Sequence, residues 1–521
     1  MSFDWTLPYP SRREAVIAKN VVATSQPLAA QAGLEMLRRG GNAIDAAIAG
    51  AIALTVVEPC ANGIGSDAFA IVSDEDGLHG LNASGKSPEL FEGCKLQATG
   101  WSPVTIPGAV SGWVALSEKF GDLDFETLFE PAVGYANNGF HVSRQTALGW
   151  EKGAARYAEF ETWQRTFTTN GTPPRAGELM RLPDHADTLQ EIADTKGESF
   201  YRGRLATQMH DSSMREGGFL RLDDLASHAC AWVDPIGVTC GKNTLYELPP
   251  NGQGIAALIA LEILQLLEID LSCCDTSEVL HVQIESMKRA FADAHAYVAD
   301  PEISGTCEDL LEQSRLKKHA ASITTTASDC DQATLPRYSS TVYLAAGDTD
   351  GRLVSFIQSN FEGFGSGIVI PNTGIALQNR GLGFSSEQNH PNSAGPSKRP
   401  FHTIIPAMLC DDDGARMAFG VMGGPMQPQG HLQVACRIMF GNQNPQAALD
   451  APRWKLLGGR SVAIEQGFPE HIYAELRKRG HELEIAAERT VAFGGGQAVY
   501  RLRDGMVGAS DQRRDGQAVG F

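Results

Sequence analysis

A small hydroxyl residue at the start of an apolar strand is the first candidate for chemistry. Thr341 opens the segment Thr341 to Ala346, and Arg352 to Ile357 follows after the turn-forming run Asp348 to Gly351. β-Formers on both sides of such a turn predict a β-hairpin. The chain before it, from Thr324 to Ser340, is polar and typical of a loop. Cleavage at this boundary would make Thr341 a new N-terminus. The alternative is that Thr341 is an ordinary β-branched residue within a strand.

An N-terminal threonine would carry both groups that an amide hydrolase needs. Its hydroxyl is a weak nucleophile until a base removes the proton. A free α-amine, with a pKa of roughly 7.7–8.0, can be that base at neutral pH. The methyl branch restricts χ1 and helps to aim the oxygen. The same hydroxyl can attack the preceding carbonyl, so that Thr341 would serve both self-cleavage and turnover.

Composition limits the partners. The chain has 521 residues and a net charge of -19, which argues against nucleic acid and against an anionic membrane surface. A small anionic substrate remains compatible, because a few local cations suffice. The N-terminal segment has no basic region followed by a long apolar run, and Ala43 to Val57 is too short to span a membrane. The ten cysteines show no CxxC spacing. We therefore expect reduced cysteines and a cytoplasmic protein.

The elements that must position Thr341 come from both ends of the chain. Near the N-terminus the pattern predicts a strand over 21–26, a helix from Pro27 to Arg39, and a buried helix from Ala43 to Val57 that Asn42 caps. The C-terminal third is typical of strands joined by glycine turns, and further strands are predicted over 374–377, 403–409 and 416–421. Strands at both ends with helices between them indicate one intertwined α/β unit.

Other glycine-rich and acidic motifs have simpler structural explanations than ligand binding. Gly363 to Gly367 does not fit a dinucleotide-binding fingerprint, and no phosphate-binding loop is present. Asp293, His295 and Asp300 lack the usual ligand spacing, so we expect neither a metal nor a cofactor. Gly423-Gly424-Pro425 follows a predicted strand and could turn backbone N–H groups toward a ligand or form a plain turn.

Several short segments resemble one known family. They are Gly40 to Ala47, Pro249 to Gly254, Gly395 to Pro400, Gly423-Gly424, Ala451 to Arg453 and Gly508 to Asp511. They occur in the order seen in the γ-glutamyltransferase family of N-terminal nucleophile hydrolases, and the resemblance extends over nearly the whole chain.

The resemblance implies an α/β fold of four layers, an αββα sandwich made from one precursor. Residues 1–340 would form a large subunit and residues 341–521 a small subunit, intertwined as one domain. Cleavage is expected between Ser340 and Thr341, with Ser339 or Ser340 as the alternative nucleophile if the register is shifted. The resemblance assigns oxyanion N–H groups to Gly423 and Gly424 and a hydroxyl beside the nucleophile to Ser359.

The sequence departs from the family where γ-glutamyl groups are recognised. An arginine that holds the glutamyl carboxylate is replaced by Ser84, with Lys86 nearby, and an aspartate that holds the ammonium is replaced by Gly383. His402-Thr403 replaces a pair of serines, and Arg380 stands where a neutral or acidic residue is usual. Loss of the aspartate together with gain of Arg380 favours a substrate that has a carboxylate and no α-amine.

The sequence thus predicts an autoprocessing amide hydrolase for a small carboxylate-bearing amide such as oxamate. Two alternatives stay open: a γ-glutamyl hydrolase or transferase, and an unprocessed, inactive binding homologue. The expected partners are the substrate and the two fragments of the precursor, as a homodimer or a heterotetramer. The candidate substrate-binding residues are Arg380, Lys86, Asn360, His402 and Thr403, although Lys86 and Arg380 could equally be solvated or paired structurally.

Overall fold

A computed structural model describes residues 13–91, 93, 95–329, 340–486 and 490–521. The proposed scissile bond between Ser340 and Thr341 lies inside the described part. The alternative nucleophile Ser339 lies outside it, as do the last residues of the polar segment before the bond.

The strands are distributed along the whole of the described chain, many of them in consecutive pairs. In chain order they are β1 (Val16–Ala18), β2 (Val21–Thr24), β3 (Asp67–Asp74), β4 (Gly77–Ala83), β5 (Phe140–His141), β6 (Leu179–Met180), β7 (Ala231–Val233), β8 (Ile236–Cys240), β9 (Asn243–Glu247), β10 (Ser340–Gly347), β11 (Leu353–Phe361), β12 (Ala407–Asp411), β13 (Gly414–Met422), β14 (Trp454–Gly458), β15 (Ser461–Glu465), β16 (Glu482–Ala486), β17 (Gly495–Arg501), β18 (Met506–Ser510) and β19 (Gln517–Gly520).

The α-helices are α1 (Pro27–Arg38), α2 (Ala43–Val57), α3 (Ala109–Phe120), α4 (Glu130–Asn138), α5 (Arg144–Arg156), α6 (Glu161–Phe167), α7 (Pro183–Asp194), α8 (Glu198–Arg202), α9 (Arg204–Arg215), α10 (Leu222–Ser227), α11 (Gly254–Leu266), α12 (Ser277–Tyr297), α13 (Pro301–Ser304), α14 (Gln313–Ala321), α15 (Met426–Met439), α16 (Pro445–Asp450) and α17 (Glu470–Lys478). Short 3-10 helices cover Phe125–Phe129, Glu308–Leu311, Arg380–Gly383 and Val491–Phe493.

Two 7-stranded sheets form the centre of the molecule. The first sheet has the order β19-β2-β10-β11-β3-β4-β7, and the second has the order β1-β18-β17-β13-β12-β9-β8. All pairings within these two sheets are antiparallel. Each sheet combines strands from the N-terminal and C-terminal parts of the chain.

Three apolar clusters separate the layers. Between the sheets, Phe69 and Tyr343 of the first sheet pack with Met408 and Val499 of the second. The outer face of the first sheet packs on a cluster that includes α1, α2 and α7, and the outer face of the second packs on α11, α12 and α15. This arrangement is the predicted four-layer αββα sandwich of the N-terminal nucleophile hydrolases.

The buried helix α2 shows why the sequence signals worked. Every residue from Ala43 to Val57 is buried, as an apolar helix without a polar face requires. The Asn42 side chain accepts hydrogen bonds from the N–H groups of Ile44 and Asp45. In return, the Asp45 carboxylate accepts a hydrogen bond from the Asn42 N–H. This reciprocal cap satisfies the first free donors of the helix and fixes where it begins.

Some boundary predictions were wrong. Residues 374–377 do not form a strand, because Ala376 and Leu377 make only isolated bridges, to Val369 and Gly65. The strand predicted over 403–409 begins later than expected, as β12 (Ala407–Asp411). The residues before Ala407 supply side chains to the site described below. The described cysteines are free thiols. Within the described residues, no helix is long and apolar enough to cross a bilayer.

Candidate active site

Thr341 lies where the hairpin ladder of β10 and β11 becomes irregular. Ser340 pairs with Phe361 and Val342 pairs with Gln358, so the register shifts between them. The Thr341 side chain is fully buried. Two residues further on, Tyr343 packs against Gly420 in the facing sheet. The alternation along β10 therefore directs Thr341 toward the space between the two sheets.

Ser359 of β11 touches both partners of the proposed scissile bond. Thr341 Oγ1 donates to Ser359 Oγ at 3.1 Å, and Ser359 Oγ donates to the Ser340 carbonyl oxygen at 2.8 Å. The Phe361 N–H donates to Ser359 Oγ at 2.8 Å and fixes its position. The hydroxyl of Ser359 can therefore polarise the Ser340 carbonyl while it holds the Thr341 oxygen beside it.

Ser359→Ala is expected to slow self-cleavage and to lower kcat by about 10²-fold, because one hydrogen bond to the carbonyl and one to the nucleophile are lost. Quantitative denaturing gels over time measure the cleavage, and steady-state kinetics of the cleaved fraction measure kcat. Ser359→Thr keeps the hydroxyl and should retain most of both rates. Equal rates for Ser359→Ala and the wild type would remove Ser359 from the site.

Gly423 and Gly424 form the turn between β13 and α15. Their φ angles are 137° and 58°, which glycine adopts without strain. A Cβ on Gly423 would lie 3.2 Å from the Cα of Gly494, so this turn is closely packed. Among the described residues, neither glycine N–H has a hydrogen-bond acceptor. Both donors are thus free to bind a ligand oxygen.

Gln253 connects this turn to the opposite wall of the site. Its Nε2 donates to the Gly424 carbonyl at 2.9 Å and to the Thr403 carbonyl at 2.6 Å. The Gln253 N–H also donates to the His402 carbonyl at 2.9 Å. One buried amide therefore holds the glycine turn and the His402-Thr403 segment at a fixed separation.

Arg380 is fully buried and only partly satisfied. Nη1 donates to Thr403 Oγ1 at 2.8 Å, and the guanidinium lies 4.4 Å from the centroid of the Phe361 ring. Nε and Nη2 have no hydrogen-bond partner among the residues that the structure describes. Together these two atoms form the edge of guanidinium that binds carboxylates in a bidentate manner. The Phe361 N–H donates to the Ser359 hydroxyl, which contacts Thr341, so a short chain of contacts links Arg380 to Thr341.

Asp67 is the acid that most strongly raises the pKa of Arg380. It is the first residue of β3 and the ladder partner of Ser359. Burial lowers the pKa of Arg380 to about 9, while Asp67 opposes the change. Burial raises the pKa of Asp67 to about 7, while Arg380 opposes the rise. His402 Nε2 lies 3.1 Å from Asp67 Oδ2, and burial and Arg380 hold the pKa of His402 well below its usual value.

The positions that differ from the family have acquired other contacts. Ser84 Oγ donates to Asn82 Oδ1 at 2.7 Å and accepts from Asn251 Nδ2 at 3.3 Å, so it belongs to a buried polar network. At Gly383 a Cβ would lie 2.3 Å from the carbonyl oxygen of Phe401. The backbone therefore has no room for an aspartate at this position.

The remaining candidates are placed differently from one another. Asn360 Oδ1 accepts from Ser66 Oγ at 2.8 Å, and its buried Nδ2 has no hydrogen-bond partner within the described parts of the chain. Lys86 forms a 2.7 Å ion pair with Glu302 at the surface, so the structural explanation for Lys86 is favoured. In the basic loop, Lys398 donates to the carbonyls of Ser393 and Pro391. The Lys398 ammonium group therefore stabilises the loop through these hydrogen bonds.

One cluster has the composition of a metal site. The ligand atoms of His281, Glu285 and His481 lie within 4.8 Å of one another. Glu285 is paired with Lys288 at 2.8 Å and with Arg289 at 2.9 Å. Two cations beside the only carboxylate oppose the binding of a third, so we assign this cluster to packing.

The sequence reasoning missed Asp67, Gln253 and Gln378. Gln378 Nε2 donates to Asp67 Oδ1 at 2.8 Å and so joins β3 to the segment of Arg380. A usable signal existed for Asp67, which is the one charged residue between the glycine loop at Gly63 and the apolar run of β3. A charge at such a position is retained only when it is bonded, which indicates a site.

Comparisons with known proteins agree with this geometry. Residues 29–521 match the family model described as gamma-glutamyltranspeptidase. The chain is 34% identical over 519 residues to the oxamate amidohydrolase proenzyme of Klebsiella pneumoniae, covering 95% of this chain and 97% of that protein. It is 33% identical over 527 residues to the glutathione hydrolase-like YwrD proenzyme of Bacillus subtilis, covering 98% and 100%.

A solved structure extends the likeness to the fold. The crystal structure of cephalosporin acylase from Bacillus halodurans superposes with a TM-score of 0.93 and 45% identity, covering 100% of this chain and 99% of that chain. The chain thus belongs to the γ-glutamyltranspeptidase family, whose members are N-terminal nucleophile hydrolases. It is an amidohydrolase of that family, made as a self-processing precursor that yields a large and a small subunit.

Proposed function

We propose that this enzyme hydrolyses a small amide that carries a carboxylate, such as oxamate, through an acyl ester on Thr341. The observation that carries the substrate assignment is the open Nε and Nη2 edge of buried Arg380. A buried cation without an ion pair is costly unless a ligand completes its bonds. A substrate carboxylate is the group that fits this edge.

Maturation begins at the bond between Ser340 and Thr341. Thr341 Oγ attacks the Ser340 carbonyl carbon, the C–N bond breaks, and the large fragment is transferred to the oxygen as an ester. The departing nitrogen takes up the hydroxyl proton and becomes the free α-amine of Thr341. Water then hydrolyses the ester, which gives the Ser340 carboxylate and the free Thr341 hydroxyl. The contact of Ser359 Oγ with the Ser340 oxygen supports a role in polarising that carbonyl.

Turnover repeats the same chemistry on the substrate. The α-amine takes the proton of the Thr341 hydroxyl, which attacks the amide carbon, and the N–H groups of Gly423 and Gly424 bind the oxyanion. The proton passes to the leaving nitrogen, so that a primary amide releases ammonia. Water, activated by the same amine, then hydrolyses the acyl ester. Arg380, anchored by Thr403, holds the substrate carboxylate during both steps.

The boundaries of the two subunits follow from this proposal. Residues 1–340 would form the large subunit and 341–521 the small subunit. Because β10 and β11 of the small subunit lie between β2 and β3 of the large one, the cut chain would stay together. A homodimer of the precursor and a heterotetramer of the subunits remain the alternatives for assembly.

A pair of assays tests the substrate class. The cleaved enzyme is expected to release ammonia from oxamate with a kcat/KM at least about 10²-fold above that for p-nitroaniline release from γ-glutamyl-p-nitroanilide, because no acidic residue at Gly383 receives the γ-glutamyl ammonium. Oxalate should accumulate in equal amount to ammonia. Activity on the γ-glutamyl substrate alone would contradict the proposal and support the second function, a γ-glutamyl hydrolase or transferase.

A second candidate in the same class is an acylase for a longer acyl group, such as glutaryl, that ends in a carboxylate. The 45% identity to the cephalosporin acylase favours it. Glutaryl-p-nitroanilide distinguishes the two, because only a deep pocket accepts the longer chain. The third alternative, an inactive binding homologue, requires that the purified protein remain a single uncut chain.

A further inference from the structure

Asp67 has a position that neither the family resemblance nor the proposed mechanism explains. It begins β3, is fully buried, and lies opposite Ser359 in the ladder of β3 and β11. Its Oδ1 accepts from Gln378 Nε2 at 2.8 Å and from the N–H groups of Gly85 and Gly108, each at 3.1 Å.

These donors come from segments that surround the proposed substrate pocket. Gly85 follows Ser84, Gln378 lies two residues before Arg380, and His402, which contacts Oδ2, precedes Thr403. One carboxyl group therefore holds the segments that carry the substrate-recognition positions.

Asp67 is also the acid whose charge acts most strongly on Arg380. The other acid that influences Arg380 is Glu362, which is neutralised by a 2.6 Å ion pair with Arg156. Asp67 and Arg380 attract each other without a direct ion pair among the described contacts, so the open edge of Arg380 is left for a ligand. A substrate carboxylate on that edge would bring a second negative charge into the same buried site.

We propose that Asp67 is the proton-linked counter-ion of Arg380: its carboxyl group takes up one proton from solvent when a substrate carboxylate binds to Arg380. This inference rests on the proposed function. In the empty site the positive charge of Arg380 is balanced by ionised Asp67. In the complex it is balanced by the substrate, because two buried carboxylates beside one cation repel each other. The site thus keeps one anion and one cation in both states.

The charge state of the free enzyme agrees with this role. Burial raises the pKa of Asp67 to about 7, so the group is ionised above neutral pH and close to titration. Three other titratable groups lie nearby. His402 is kept neutral by burial and by the charge of Arg380, burial raises the pKa of Tyr201, and Glu362 is paired with Arg156. The α-amine of Thr341 would titrate in the same range and must be distinguished from Asp67.

Calorimetric titration of the cleaved enzyme with oxalate, in buffers of different ionisation enthalpy, counts the protons taken up. Oxalate has two carboxylates, and the second one affects the wild type and Asp67→Asn alike. At about pH 8 we therefore expect the wild type to take up close to one proton more per oxalate than Asp67→Asn does, and below about pH 6 the two should not differ, because Asp67 is then already protonated. The affinity should fall by up to about tenfold per pH unit above neutrality.

Asp67→Asn imitates the protonated acid and separates it from the α-amine. At about pH 8 this variant should bind oxalate about tenfold more tightly than the wild type and take up about one proton fewer, because the negative charge of Asp67 is absent. Asp45→Asn, a buried acid at the start of α2, serves as the control and should keep the wild-type pH dependence. Weaker oxalate binding by folded Asp67→Asn would overturn the assignment and indicate a structural role.

Infrared difference spectra of the wild type decide the question even if Asp67→Asn fails to fold. A protonated carboxyl band should appear when oxalate is added at about pH 8. Oxalate binding without this band and without proton uptake would overturn the role of Asp67 and leave the proposed function intact. No oxalate binding at all would overturn both.

Discussion

Replacement of Thr341 by alanine is expected to leave the precursor as one uncut chain and to lower amide hydrolysis by about 10³-fold or more, to background. One oxygen is assigned both reactions, attack on the Ser340 carbonyl and attack on the substrate, so both fail together. Denaturing gels of the purified variant and ammonia release from oxamate measure the two effects. The fully buried Thr341 side chain contacts Ser359, and alanine removes that hydroxyl without adding volume.

Thr341→Ser is the matched control. It keeps the oxygen but loses the methyl group that restricts χ1, so it should be cut more slowly and remain active at a reduced rate. Two fragments from Thr341→Ala, in the amounts seen for the wild type, would mean that another residue is the nucleophile. Ser340 is the alternative nucleophile that lies within the described residues.

Replacement of Arg380 by methionine is expected to lower kcat/KM for oxamate by about 10²- to 10³-fold, because a buried charged hydrogen-bond partner of the substrate is removed. The same change should leave the thermal midpoint of unfolding close to that of the wild type, because Asp67, which balances Arg380 in the empty site, can take up a proton when the cation is removed. A structural role for Arg380 predicts the opposite, with a lower midpoint and little change in KM.

Two further variants make the Arg380 result specific. Arg380→Lys keeps a positive charge but loses the planar fork, and should recover only part of the lost kcat/KM. Lys86→Ala removes the other cation that the sequence indicated. Because Lys86 is paired with Glu302 at the surface, its loss should change kcat/KM by less than about twofold.

The fold could be predicted where local patterns and burial agree. The hairpin at Thr341 and the capped helix α2 follow from alternation, capping residues and apolar periodicity, whereas the four layers were implied by the family resemblance. Residues 374–377 were wrongly predicted as a strand, because their apolar composition serves single bridges to Gly65 and Val369 instead of a ladder. Composition alone does not separate these two uses of an extended segment.

The site was only partly accessible to sequence reasoning. Arg380 could be noticed from its unusual type, but its open edge depends on Thr403 and Phe361, which the fold brings to it. The absence of an aspartate at Gly383 is explained by a close approach of the Phe401 carbonyl, which no sequence pattern reports. Asp67 and Gln378 are far apart in the chain and meet because the segment of Gln378 runs beside Gly65, just before β3.

The central claim is that Thr341 becomes the N-terminus of the small subunit. N-terminal sequencing of the smaller fragment from purified wild-type protein, supported by its intact mass, tests this most directly. We predict that it begins Thr341-Val342-Tyr343 and extends to Phe521. A single uncut chain in an active preparation, or a fragment that begins at any other residue, would contradict it.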